Sequence, residues 1–226
     1  MEIQKFYIKI LPGAMLLLAL AIFGGSTQSH GQETDSTRHQ VIIETSLGEI
    51  SLMLDAEKAP ATVENFLSYV DQKGYDGTIF HRVIPGFMIQ AGGHYEDLSE
   101  SPSKPPIINE ADNGLSNRIG TIAMARLSDI DTASNQFFIN TADNVRLDHG
   151  PKSCSREEEA KHAALRARGL MKPKRCKGFG YAVFGEVIRG LEVVRHIEGV
   201  ETGRQSGFAD VPIEPVMIVT MRRVHP

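Results

Sequence analysis

The brevity of the apolar runs constrains this chain more than any other feature. From Val41 onward, hydrophobic residues come in short stretches bounded by Gly, Pro, Asn or Asp. Val41-Ile42-Ile43 is rich in β-branched residues, and Thr45-Ser46-Leu47-Gly48 reads as a turn. Ile50, Leu52 and Leu54 then alternate with Glu49, Ser51 and Met53, the period of a strand with one buried face. Further strands are predicted at Ile79–Ile84, Phe87–Gln90, Thr121–Ala125, Gln136–Asn140, Tyr181–Val187 and Val216–Arg222. Two segments keep a helical period across a core-facing side. Val63, Phe66, Leu67 and Val70 follow Pro60 at helical spacing and stop at Gly74; Leu191, Val194 and Ile197 make a shorter face. Many short strands with two core helices predict an all-β chain, a closed antiparallel barrel capped by two helices.

Residues 1–31 read as a secretory signal. Lys5 and Lys9 precede an apolar stretch of 14 residues, Ile10–Phe23, and Ser29-His30-Gly31 is an imperfect cleavage site. A spanning helix needs about 20 residues, so export with cleavage near Gly31 is expected, placing the mature chain in the periplasm or outside the cell. The alternative is an N-terminal membrane anchor. Residues 32–40 are polar and read as a flexible lead-in to a domain over 41–226.

Residues 151–177 stand apart. They hold nine Lys/Arg against three Glu, a local charge of +6 in a chain whose net charge is −4. Ser155-Arg156-Glu157-Glu158 fits a capping box; good helix formers run to Arg168, Gly169 suits the left-handed stop and Pro173 blocks continuation. Cys154 and Cys176 bracket this helix, and export would place both thiols where a disulfide forms. A zinc site with His149 or His162 is the alternative, but the spacing fits no standard zinc pattern. The charge of this excursion predicts a preference for acidic segments of a bound chain.

The acidic net charge is the wrong sign for general nucleic-acid binding. No metal-ligand spacing, P-loop or nucleophile-elbow pattern appears, and the eight histidines are scattered. What stands out is FHRVIPGFMIQ (Phe80–Gln90). There Arg82, Ile84, Met88 and Gln90 share a strand face across a Pro85-Gly86 turn, setting a cation and an amide beside apolar side chains.

Together with NEADNG (Asn109–Gly114), GTIAMAR (Gly120–Arg126), NQFFIN (Asn135–Asn140) and FGYAVFG (Phe179–Gly185), this run resembles the cyclophilin-type peptidyl-prolyl cis-trans isomerases. The similarity is greatest to bacterial exported members and runs from Val41 to Val224 apart from residues 151–177. The resemblance implies an eight-stranded antiparallel barrel that isomerises X-Pro bonds in unfolded or flexible polypeptides, as a monomer with neither cofactor nor metal. It implies that Arg82 is the catalytic arginine and that Gln90 holds the substrate backbone. Phe87, Met88, Phe138 and Leu147 would wall the proline pocket, Ala125 and Arg126 would bind the preceding residue through main-chain groups, and Tyr181 would stand where eukaryotic members have His. Arg146 departs from the pattern, occupying the place of a Trp or Phe, and Ala91 replaces a Gly. The alternative is a module of the same fold that grips proline peptides without turning them over.

Overall fold

A strand flanked on one edge by its neighbour in sequence and on the other by the last strand of the domain organises the fold. The computed structural model describes residues 1–2, 37–170, 174 and 176–224. The expected signal therefore lies, but for its first two residues, outside the described residues. Strand β1 (Arg38–Thr45) pairs antiparallel with β2 (Gly48–Asp55) through a tight turn, and on its other edge with β10 (Ile218–Val224). β1 begins three residues inside the predicted lead-in. Arg38, His39 and Gln40 show no apolar alternation, but their backbones find ladder partners in Asp55, Leu54 and Met53.

The intervening strands are β3 (Arg82–Ile84), β4 (Met88–Ala91), β5 (Thr121–Met124), β6 (Phe137–Asn140) and β7 (Val183–Arg189). They complete an eight-stranded sheet in the order β10-β1-β2-β7-β5-β6-β4-β3. The sheet is curled rather than fully closed, a correction to the expected closed barrel. Its end strands β3 and β10 do not form a ladder. They approach only beside their starts, where Ile79 bridges Met217 and the Phe80 N–H donates to the Val216 carbonyl at 2.9 Å.

Strand alternation sends one set of side chains inward. Val41, Ile43, Ile50, Leu52, Val83, Ile89, Ile122, Phe137, Ile139 and Ile218 are fully buried there. Helix α1 (Pro60–Asp71) adds Val63, Phe66, Leu67 and Val70, the predicted face. Its start has no side-chain cap of its own. Glu110 of the NEADNG run supplies one from afar, accepting from the N–H groups of Ala61 (3.1 Å) and Thr62 (2.9 Å) and the Thr62 hydroxyl (2.7 Å). Helix α3 (Leu191–Glu198) buries Val194 and Ile197, whereas Leu191, predicted to be buried, is 39% exposed at the first turn.

The excursion at 151–177 carries helix α2 (Arg156–Ala167). Its capping box is formed: the Ser155 hydroxyl accepts from the Glu158 N–H at 3.2 Å, and Glu158 accepts from the Ser155 N–H at 2.8 Å. Its end is a Schellman motif, with the Gly169 N–H on Arg166 and the Leu170 N–H on Leu165. At its base Cys154 and Cys176 are joined in a disulfide with Cα atoms 4.9 Å apart, which rules out a zinc site on these thiols. Backbone bonds Cys154 N–H to Lys177 O (2.7 Å) and Lys177 N–H to Lys152 O (2.8 Å) continue the clamp.

The charge of the excursion is partly cancelled. Arg156 pairs with Asp112 and Asp131 and stacks on Phe179, and Arg166 pairs with Asp129. The expected pull on acidic peptides is therefore weaker than the net charge implies, because these cations fasten the helix to the domain. Replacing both cysteines by Ser should cost the excursion about 3 kcal/mol of local stability, from the entropy of a loop of this length. Hydrogen exchange should then speed up in α2 while protection of the eight-stranded sheet is kept.

Candidate functional site

The site begins with a turn. Pro85 and Gly86 reverse the chain between β3 and β4, with Gly86 at φ +70 and the Phe87 N–H donating to Ile84 at 3.1 Å. The turn sets Ile84 opposite Met88, Val83 opposite Ile89 and Arg82 opposite Gln90. Gln90 in turn lies opposite Phe138 on β6, and Phe138 opposite Ala123 on β5. Arg82, Gln90, Phe138 and Ala123 thus form one row across four strands, on the side of the sheet away from Val83, Ile89 and Phe137. The predicted sharing of a face by Arg82, Ile84, Met88 and Gln90 follows from this register.

This outer face holds a second apolar cluster. Met88, Ala123, Phe138 and Val183 are buried, with Ile84, Phe87, Ala125, Leu147 and Tyr181 partly buried around them. Of these, Phe87, Met88, Ala125, Phe138, Leu147 and Tyr181 line an open cleft of about 600 Å³ whose rim includes Arg82, Gln90, Arg126 and Gln136. The proposed site residues Arg82, Phe87, Met88, Gln90, Ala125, Arg126, Phe138, Leu147 and Tyr181 all line this one cleft. The inside of the curled sheet is filled by core side chains.

The polar edge of the cleft is a chain of side chains. Arg82 Nη1 donates to Gln90 Oε1 at 3.4 Å, and Gln90 Nε2 donates to Gln136 Oε1 at 2.8 Å. Gly93 makes room for Gln136, since a Cβ there would sit 2.4 Å from its amide. Beneath Arg82, His81 is 4% exposed. Burial, and next the neighbouring His94, push its pKa down to about 4, so its ring is neutral at physiological pH.

The opposite wall is stacked. The Arg126 guanidinium lies 4.6 Å over the Tyr181 ring and donates from Nε to the Gly180 carbonyl at 3.0 Å; Tyr181 meets Phe138 edge-on at 5.8 Å. The Ala125 N–H is engaged by Gln136 at 2.9 Å. Leu147 closes a short 3-10 turn, Val145–Leu147, and its carbonyl accepts from the Tyr181 N–H at 3.0 Å, joining the two walls. Arg146 in the same turn lies 4.6 Å over the Phe87 ring, so its flat cation covers an aromatic at the outer lip. Ala91, in place of glycine, is fully buried opposite Phe137 in ordinary strand pairing.

Several cleft residues carry no signal in the sequence. Gln136, His81 and His94 sit within runs that read as core strand or loop. Phe208 and Asp210 belong to a hairpin, β8 (Thr202–Gln205) and β9 (Phe208–Pro212), whose residues show no apolar alternation. The only local hint is the Ser206-Gly207 pair at its turn.

Fold and cleft together define a cyclophilin. The chain belongs to the cyclophilin-type peptidyl-prolyl cis-trans isomerase family, whose profile (Cyclophilin type peptidyl-prolyl cis-trans isomerase/CLD) matches residues 40–223. It is 42% identical over 210 residues to peptidyl-prolyl cis-trans isomerase A of Dickeya dadantii, covering 93% of this chain and 94% of that one. It is 47% identical over 178 residues to the isomerase cyp18 of Streptomyces antibioticus, covering 79% and 94%. To peptidyl-prolyl cis-trans isomerase B of Escherichia coli it is 43% identical over 178 residues, covering 79% and 95%. A crystal structure of a Cryptosporidium parvum cyclophilin type isomerase, determined in the presence of the dipeptide ala-pro, shares the fold. Its TM-score is 0.60 at 22% identity, over 83% of this chain and 99% of that one.

Proposed function

We propose that this isomerase turns over X-Pro bonds of exported polypeptides by presenting Arg82 to the amide nitrogen as the bond twists. Rotation about an amide meets a barrier of about 18–20 kcal/mol, because the nitrogen lone pair is conjugated with the carbonyl. Uncatalysed X-Pro exchange takes tens to hundreds of seconds, slow enough to limit folding. No nucleophile is needed. The enzyme has only to bind the twisted amide more tightly than either planar form.

In the twisted state the proline nitrogen regains its lone pair and accepts a hydrogen bond. Arg82 is a permanent donor, and Gln90, 3.4 Å from its Nη1, holds the guanidinium at the cleft edge. Phe87, Met88, Phe138 and Leu147 hold the proline ring while the preceding carbonyl swings. Ala125 and Arg126 fix the residue before proline. The observation that carries this reading is the register that sets Arg82, Gln90 and Phe138 in one row on the outer face of the sheet. An intact cation in that row also favours turnover over a purely binding module. Exchange spectroscopy on an Ala-Pro peptide with the mature domain tests it directly. Line broadening of cis and trans signals is expected; tight binding without accelerated exchange would support the binding module instead.

Export supplies the cellular setting of this reading. The basic residues and short apolar stretch before Gly31 support it. The mature chain isolated from its host should begin near Gln32 by N-terminal sequencing. Full-length protein confined to membranes would favour the anchor.

A further inference from the structure

One residue of the cleft is held in place by a deviation of the backbone. The β8–β9 hairpin turns through Ser206 and Gly207, both in the left-handed region at φ +47 and +89. Its register pairs Gly203 with Val211 and Gln205 with Phe208. Arg204 alone therefore faces two residues, Ala209 and Asp210, and β9 carries a bulge. Asp210 occupies the bulge at φ +61, a conformation few side chains adopt, although Asp and Asn tolerate it best. Bulges of this kind beside active sites re-aim a side chain.

Here the side chain is aimed at Arg82. Asp210 Oδ2 lies 4.0 Å from Arg82 Nε, while Gln90 stands 3.4 Å from Nη1. Asp210 is also the single carboxylate among the described residues lining the cleft. The guanidinium is thus bracketed on two edges, by a charge at Nε and an amide at Nη1. Its remaining corner is left for the substrate. At 4.0 Å the carboxylate attracts without taking up an Arg82 donor in a hydrogen bond. The Arg82 side chain is 42% exposed, and without such a bracket it would sample many rotamers.

We propose that Asp210 is a positioning residue that orients Arg82 for the twisted amide, an inference that rests on the reading of Arg82 as the catalytic donor. The pair is exposed, so its effect is modest, and it acts on the transition state rather than on substrate binding. Asp210→Asn should lower kcat by about two- to fivefold, the range of an exposed ion pair, with KM changed less. With an uncharged peptide, wild-type kcat should fall toward the Asn value as salt is raised, while the variant stays flat. Asp210→Gly relieves the left-handed strain, so it should lose the same kcat without losing thermal stability. Unchanged kcat in both variants would overturn the proposal. So would a kcat loss that tracks a drop in melting temperature in both, the mark of a merely structural residue. Arg82→Ala, measured alongside, separates the two levels. If that variant is fully active the reading of Arg82 fails; if it is inactive while the Asp210 variants match wild type, only the positioning role fails.

Discussion

Arg82→Ala lowers kcat/KM for X-Pro exchange by about 10²- to 10³-fold, the loss typical of removing one preorganised donor to a developing acceptor. Its side chain packs on the outer face and contributes nothing to the core, so the variant keeps its fold and its circular dichroism. Full activity would remove the mechanism. The same mechanism predicts the pH profile. The donor is an arginine, a side chain that proteins do not deprotonate, and the neighbouring His81 has its pKa pushed down to about 4 by burial and by His94. Turnover should therefore be flat from pH 8 down to about 5. A bell-shaped profile centred near neutrality would reveal an acid–base pair. Stability follows a different course. The folded state resists protonating His81 while the unfolded state accepts a proton near pH 6.5, so the unfolded chain binds more protons between the two values. Stability is therefore complete above about pH 6.5 and falls as pH drops toward 4, by up to about 3 kcal/mol for this group.

Phe66→Ala should give the largest loss of stability, about 3–5 kcal/mol, read as a lower urea midpoint with an unchanged slope. Phe66 is fully buried at the centre of an aromatic cluster, with ring centroids 5.2 Å from Tyr75, 5.5 Å from Phe137 and 5.2 Å from Phe184. It joins α1 to β6 and β7, so a cavity there loosens the inner face of the strand that carries Phe138 on its outer face. A loss below about 1 kcal/mol would mean that the neighbouring rings collapse into the space.

Much of the site was legible because strand chemistry is local. In FHRVIPGFMIQ a period-two pattern meets a Pro-Gly turn, and a tight turn dictates register. The sharing of one face by Arg82, Met88 and Gln90 therefore needs no knowledge of the rest of the fold. The helix of the excursion was legible for the same reason, since Ser155, Glu158 and Gly169 are signals that act within a turn or two. What escaped depends on distance. Asp210 reaches Arg82 only because a bulge in a polar hairpin re-aims it. The neutralisation of Arg156 and Arg166 depends on acids that lie 25 to 44 positions away along the chain. Leu191 carries the right residue type at the right spacing but sits at the first turn of α3, where the helix has not yet reached the core. The incomplete closure of the sheet is likewise invisible in any single strand.

The position of β1 between β2 and β10 has a consequence for the timing of folding. Gln40 pairs with Val224, so residues from the two extremes of the domain must meet before the first strand is covered on both edges. A chain made from its N-terminus onward, or threaded across a membrane in that direction, cannot complete this sheet until its last strand has emerged. Contacts of such long range are slow to form, since the closure entropy comes before any reward. Until then β1 keeps one open edge, and the sheet stays unfinished.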